Sequence, residues 1–102
     1  MSFLKSLFRK KGRKLEYKSN GRSGRVIYKD GQGDLEFYYE FGGGDCVAII
    51  FIPSVNDWTV QTKRNLSERQ AILTFIAEQT IKDQSPDSYY EISESYIDIF
   101  KK

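Results

Sequence analysis

Leu35-Glu36-Phe37-Tyr38-Tyr39-Glu40-Phe41, then Gly42-Gly43-Gly44-Asp45, then Cys46-Val47-Ala48-Ile49-Ile50-Phe51-Ile52-Pro53: the reading of this stretch decides the fold class. Leu35, Phe37, Tyr39 and Phe41 alternate with Glu36, Tyr38 and Glu40, and a period of two marks a half-buried strand. The glycine run makes a turn. Cys46 to Ile52 is continuously apolar, which predicts a central strand covered on both faces. Pro53 stops it, because proline cannot donate to a ladder.

Upstream, Arg25 to Lys29 carries Val26, Ile27 and Tyr28 and predicts another strand. Asp30-Gly31-Gln32-Gly33-Asp34 joins it to the next as a turn in which both glycines take positive φ. Residues 25–52 therefore predict an antiparallel meander. Leu15 to Lys18 reads as a short strand, with turn residues from Ser19 to Gly24. Downstream, Asp57 to Lys63 reads as a further strand around Trp58, Thr59 and Val60. Ser67 with Gln70 fits a capping box that opens a helix to about Asp83. Leu66, Arg69, Leu73, Ile76 and Thr80 form one row of that helix, widened by Ile72, Phe75, Ala77 and Ile81. Tyr89 to Ile92 and Tyr96 to Phe100 predict a closing hairpin, with Ile97 and Ile99 toward the core and Asp98 toward water. The expected fold is α+β: an antiparallel sheet of about five to seven strands with one main helix, about 67–83, on one face.

The chain has 102 residues, 39% hydrophobic and 15% aromatic. That suits one domain with one modest core, expected over 15–102 behind a basic arm at 1–14. In the arm, Phe3, Leu4, Leu7 and Phe8 share one face of a short helix. Cys46 is the one cysteine, read as a small buried hydrophobe in a reducing cytosol. No signal peptide is legible, and the longest apolar run is too short to span a bilayer. A cytoplasmic protein is expected.

The net charge of +2 conceals a split. Up to Lys29 there are ten basic residues and one acid, +9; from Asp30 onward there are six basic and thirteen acidic residues, −7. The two parts suit different partners. The basic segment, residues 2–29, has three readings: nucleic-acid binding, contact with an anionic membrane surface, or a solvated tail.

The chain has no histidine. Ser–His and Cys–His catalysis are excluded, along with the commonest zinc ligand. Glu36 and Glu40 on one strand stand about 13 Å apart, beyond the span of roughly 9.5 Å that a glycosidase pair allows. Asp30 and Asp34 are explained by turn chemistry and lack the twelve-residue calcium loop. Neither glycine run precedes a helix or a Gly-Lys-Ser/Thr string, so no phosphate loop is expected. Tyr28, Phe37, Tyr38, Tyr39 and Phe41 suggest the aromatic sheet of an RNA-binding module, but neighbouring acids would repel phosphates. An enzyme working through carboxylates or tyrosine alone is the weaker alternative; no catalytic residue, metal or cofactor is expected. Trp58 reads either as a core anchor or as an exposed hot spot for a protein partner.

The order of an acidic antiparallel sheet, a Trp58 segment, the helix Arg69-Gln70-Ala71-Ile72-Leu73-Thr74-Phe75-Ile76-Ala77-Glu78 and a closing hairpin, Tyr90-Glu91-Ile92 to Ile97, resembles the small immunity proteins encoded beside bacterial polymorphic toxins. The resemblance covers roughly residues 25–100. It implies a protein-binding inhibitor whose acidic body blocks a basic site on a toxin. The contact residues expected from the charge and aromatic pattern are Glu36, Tyr38, Glu40, Asp57, Trp58 and Asp98. The basic arm departs from the acidic surface usual in such inhibitors. Homodimer formation through the sheet edges is a further expectation.

Overall fold

A computed structural model describes residues 12–102; the amphipathic face expected over Phe3 to Phe8 lies outside them. The described chain is α+β. Six strands form one antiparallel sheet: β1 (Lys14–Asn20), β2 (Ser23–Lys29), β3 (Leu35–Phe41), β4 (Cys46–Phe51), β5 (Ser88–Ile92) and β6 (Tyr96–Lys101). Their order across the sheet is β1-β2-β3-β4-β6-β5. Helix α1 (Trp58–Thr62) and the long helix α2 (Arg69–Gln84) lie between β4 and β5, with a 3₁₀ turn, Leu66–Glu68, leading into α2.

The expected meander is present as β2-β3-β4. Gly31 and Gly33 both take positive φ in its first turn, +89° and +109°. β1 is longer than expected. Its pairing with β2 continues to Asn20 opposite Ser23, so only Gly21 and Arg22 are left for the turn. Gly24 permits this pairing: a Cβ there would collide with the carbonyl of Lys18 and the Tyr39 hydroxyl. Arg13, just before β1, places its guanidinium 5.5 Å over the ring of Phe75 on α2.

The core is the layer between α2 and one face of the sheet. Ile72, Leu73, Ile76 and Ala77 meet Val26, Tyr28, Leu35, Phe37, Tyr39, Ile50, Ile97 and Ile99 there. The closing hairpin is as expected, with Ile97 and Ile99 fully buried.

Four expectations are corrected. The strand expected at Asp57 to Lys63 is helix α1, closed by the amide of Gln61 on the Asp57 carbonyl and that of Lys63 on the Thr59 carbonyl. The β-branched residues Thr59 and Val60 favour a strand locally, but burying the indole of Trp58 decides the conformation. Second, the cap before α2 is Asn65 with Glu68, not Ser67 with Gln70; the Asn65 amide donates to the Glu68 carboxylate at 3.2 Å. Third, Leu66 leaves the apolar row and is 46% exposed, because it belongs to the 3₁₀ turn. Fourth, β4 is covered on one face only, with Ala48 and Ile50 buried while Ile49 and Phe51 are half-exposed on the other.

Candidate functional site

Side chains of a strand alternate between faces, so every strand sends half of its residues away from α2. Strand register arranges these in rows. Lys18 stands opposite Arg25, Arg25 opposite Tyr38, and Phe51 opposite Tyr96. The Tyr38 and Phe51 rings close the gap between β3 and β4 at 5.4 Å, and Phe51 meets Tyr96 edge-on at 5.4 Å. A single row therefore crosses five strands, basic at the β1 end and aromatic in the middle.

The next row lies about 7 Å away, two residues along each strand. It holds Ser23, Glu40, Ile49, Asp98 and Glu91 in register. Beyond it, Phe100 packs on Tyr89 at 5.4 Å. Tyr38, Tyr89 and Tyr96 are each more than 40% exposed. Among the described residues no helix packs on this face, although Ile27 on it is buried among its neighbours Glu16 and Glu36. The rings of Tyr38, Phe51 and Tyr96 touch one after another across this face, so the exposed aromatics are contiguous rather than scattered.

Charges of both signs lie on the same face, the basic ones on β1 and β2. On the β1–β2 side, Lys29 is held by Glu16 at 3.1 Å and Asp34 at 3.7 Å, and Arg25 reaches Glu36 at 3.5 Å. The contact with Lys29 draws the Glu16 carboxyl below its ordinary value and raises the Lys29 ammonium. Lys18 is in no ion pair among the described residues. Glu40 on β3, and Asp98 and Glu91 on β6 and β5, are likewise in no ion pair among them; Glu40 accepts from the Tyr38 hydroxyl at 3.1 Å. β4, between Glu40 and Asp98, carries no charged side chain. The Cys46 thiol is pushed up by burial and by the charge of Asp98, which keeps it protonated and a poor nucleophile.

Of the residues expected from sequence, Glu36, Tyr38, Glu40 and Asp98 share this face. Asp57 does not; it is exposed at the N-cap of α1, off the sheet. Trp58 is corrected outright: it has no exposed surface, and its indole N–H donates to the Asn65 carbonyl at 2.9 Å. It is a core anchor, not a contact residue. Sequence reasoning missed Phe51, Tyr96, Phe100, Tyr89 and Glu91. The alternation that put Asp98 in water also places Tyr96 and Phe100 beside it, and that signal was available. Phe51 was hidden by the unbroken apolar run of β4.

A cavity of about 300 Å³ opens between the C-terminal half of α2 and the sheet, lined by Tyr17, Tyr39, Phe41, Val47 and Thr80 among others. Among the described residues no carboxylate, cysteine or cation lines it. Among the described residues no cluster of three or more metal-ligating side chains occurs, and no helix is long and apolar enough to cross a membrane. No protein-family model, curated protein or solved structure matches this chain.

Proposed function

We propose that the chain is a non-enzymatic protein-binding domain, an immunity-type inhibitor in the cytosol that covers a basic site on a toxin with the open face of its sheet. One observation carries the reading. The exposed rings of Tyr38 and Tyr96, with half-buried Phe51 between them, lie alongside Glu40, Asp98 and Glu91, which are in no ion pair among the described residues, with Glu36 at the border. Rigid rings bury much area at little entropic cost and supply hot spots. Acids in the neighbouring row steer a basic partner and fix its register.

The test is co-expression and pull-down with the product of the adjacent gene. A complex and protection of the host are expected. Phe51→Ala is expected to weaken the complex by about 2 kcal/mol, roughly 30-fold. Glu40→Lys with Asp98→Lys is expected to slow association and to flatten its salt dependence. Absence of both complex and protection rejects the reading.

A second reading has its own observation: Lys14, Lys18, Arg22 and Arg25 are exposed on β1, β2 and their turn, continuous in sequence with the basic segment. It makes the protein an adaptor for nucleic acid or an anionic membrane surface through residues 2–29. Binding to duplex DNA or to phosphatidylserine vesicles would then fall steeply with salt. Binding unchanged in Lys14→Glu/Lys18→Glu/Arg22→Glu/Arg25→Glu would exclude β1, β2 and their turn as the carrier.

A further inference from the structure

We infer that the cavity between α2 and the sheet binds a small uncharged aromatic molecule, about two fused rings carrying one hydroxyl, through a hydrogen bond to Thr80. The cavity lies on the α2 side of the sheet, away from the exposed tyrosines, and the inference does not depend on the partner reading.

The space follows from the sequence of α2. Ile72, Leu73, Ile76 and Ala77 are buried and fill the layer over the first part of the helix. The next positions on that side are Thr80 and Gln84. Thr80 is short and Gln84 is exposed, so neither fills the layer. Beneath them the sheet continues with Val26, Tyr39, Ile50 and Ile99, and about 300 Å³ is left between. The register of β4 against β6 shifts between Cys46 and Ala48, and Val47 and Ala48 both line the space. Ala48 ends at a methyl group, so the wall recedes there.

Two observations point to an occupant. Thr80 lines the cavity and is only 7% exposed, and its hydroxyl has no hydrogen-bond partner among the described residues. Buried hydroxyls are almost always paired. The neighbouring Tyr17 phenol gives its proton to Asp83 at 2.8 Å and meets Thr80 in no hydrogen-bond geometry. A helical threonine has two χ1 wells open to it, so the hydroxyl can turn onto an occupant. Second, Phe41 lines the cavity yet is 52% exposed, with its ring edge-on to Tyr39 at 5.5 Å. An apolar ring left half in water at the rim gains by covering a ligand.

Size, walls and charge define the ligand. An apolar cavity of about 150 Å³ holds benzene, so twice that volume takes about two fused rings with a small substituent. Water is a poor filler here, since Val26, Val47, Ala48, Ile50 and Ile99 offer it no partner. The rings of Tyr17, Tyr39 and Phe41 favour an aromatic body through edge-to-face contacts. Among the described residues no charged side chain lines the space, and Asp83 beside Tyr17 repels an anion. A ligand carboxylate would therefore be buried without a counter-ion, whereas one hydroxyl satisfies Thr80.

The experiment titrates the full chain with 2-naphthol, read by amide shifts in proton–nitrogen NMR spectra, with 2-naphthoate and n-octanol as comparison probes. 2-Naphthol is expected to bind with Kd on the order of 100 µM and to shift the amides of Val47, Ala48 and Thr80. The other two probes are expected to bind at least about tenfold more weakly. Thr80→Val is expected to weaken 2-naphthol by about five- to tenfold, with the urea midpoint of the free protein unchanged or higher, because the hydroxyl has no partner to lose. Ala48→Leu fills the recess and is expected to abolish binding; Val47→Phe takes its place should that variant not fold. No saturable shift up to about 1 mM 2-naphthol overturns the site and leaves a cavity that holds water only. Shifts that persist in the filled variant also overturn it, since they place the molecule elsewhere. Equal or tighter binding of 2-naphthoate or n-octanol overturns the ligand class. Undiminished binding to Thr80→Val overturns the hydrogen bond.

Discussion

The guanidinium of Arg64 is buried beneath the β2–β3 turn, where it donates to both carboxylate oxygens of Asp30 at 2.8 and 2.9 Å and to the Gly33 carbonyl at 2.8 Å. Asp30 also accepts from the Tyr28 hydroxyl and the Gln32 amide. The Arg64 contact, above all, pulls the Asp30 carboxyl down to about 2 from its ordinary 3.8. The folded state therefore binds that proton less readily than the unfolded chain. Its stabilisation is complete above about pH 4 and is lost as pH falls toward 2, an effect on the order of 2 kcal/mol. Urea unfolding at pH 5 and pH 2.5 checks this: Asp30→Asn should be the less stable protein at pH 5, and the gap should narrow to roughly a third at the lower pH. An equal gap at both would refute the assignment. Next to Arg64, Lys63 ends α1 with φ of +62°. A left-handed lysine is strained where glycine is not, so Lys63→Gly should raise stability by about 0.5–1 kcal/mol, read as a higher urea midpoint.

Both helices depend on how they begin. α1 is only five residues long and would not persist alone. It holds because Trp58 is buried and the Thr62 hydroxyl donates to the Trp58 carbonyl at 2.6 Å. α2 begins through the 3₁₀ turn after Asn65, with Glu68 both completing the cap and reaching Arg64 at 3.3 Å. Asn65→Ala should cost about 1 kcal/mol, while Ser67→Ala, outside the cap, should stay within about 0.5 kcal/mol. Thermal unfolding of the two variants decides between Asn65 and the Ser67 cap expected from local sequence. Two overlapping cap signals stand two residues apart here, and the buried Arg64 below Glu68 is what favours the first.

Across the whole molecule, Arg69 ties three distant segments together. Buried at the start of α2, it donates to the Pro53 carbonyl at 3.1 Å after β4 and to the Glu94 carbonyl at 3.0 Å in the β5–β6 turn. Glu94 in turn accepts from the Val55 amide at 2.7 Å. Arg69→Met keeps the volume but leaves buried carbonyls unpartnered, and should cost about 2–4 kcal/mol. Hydrogen exchange should show the loss first as faster exchange at Val55 and in the β5–β6 turn. The same helical position reads in sequence as one more member of an amphipathic row, since nothing local indicates which carbonyls a guanidinium will meet.

Alternation in β3, the glycine turns, the α2 stripe and the closing hairpin were legible in the chain itself, because each depends on residues only a few positions apart. They determined the class, the antiparallel sheet and the face against which α2 packs. From them also came four of the six expected surface residues: Glu36, Tyr38, Glu40 and Asp98. Strand order was not legible, and it decided the rest. Placing β6 beside β4 joins Phe51 to Tyr96 and sets Asp98 in the row of Glu40, although these residues are far apart in sequence. Burial of Trp58 and exposure of one side of β4 were settled by the same packing. Local propensity has a range of a few residues, whereas register and layer contacts are chosen by the total apolar area that the folded chain removes from water.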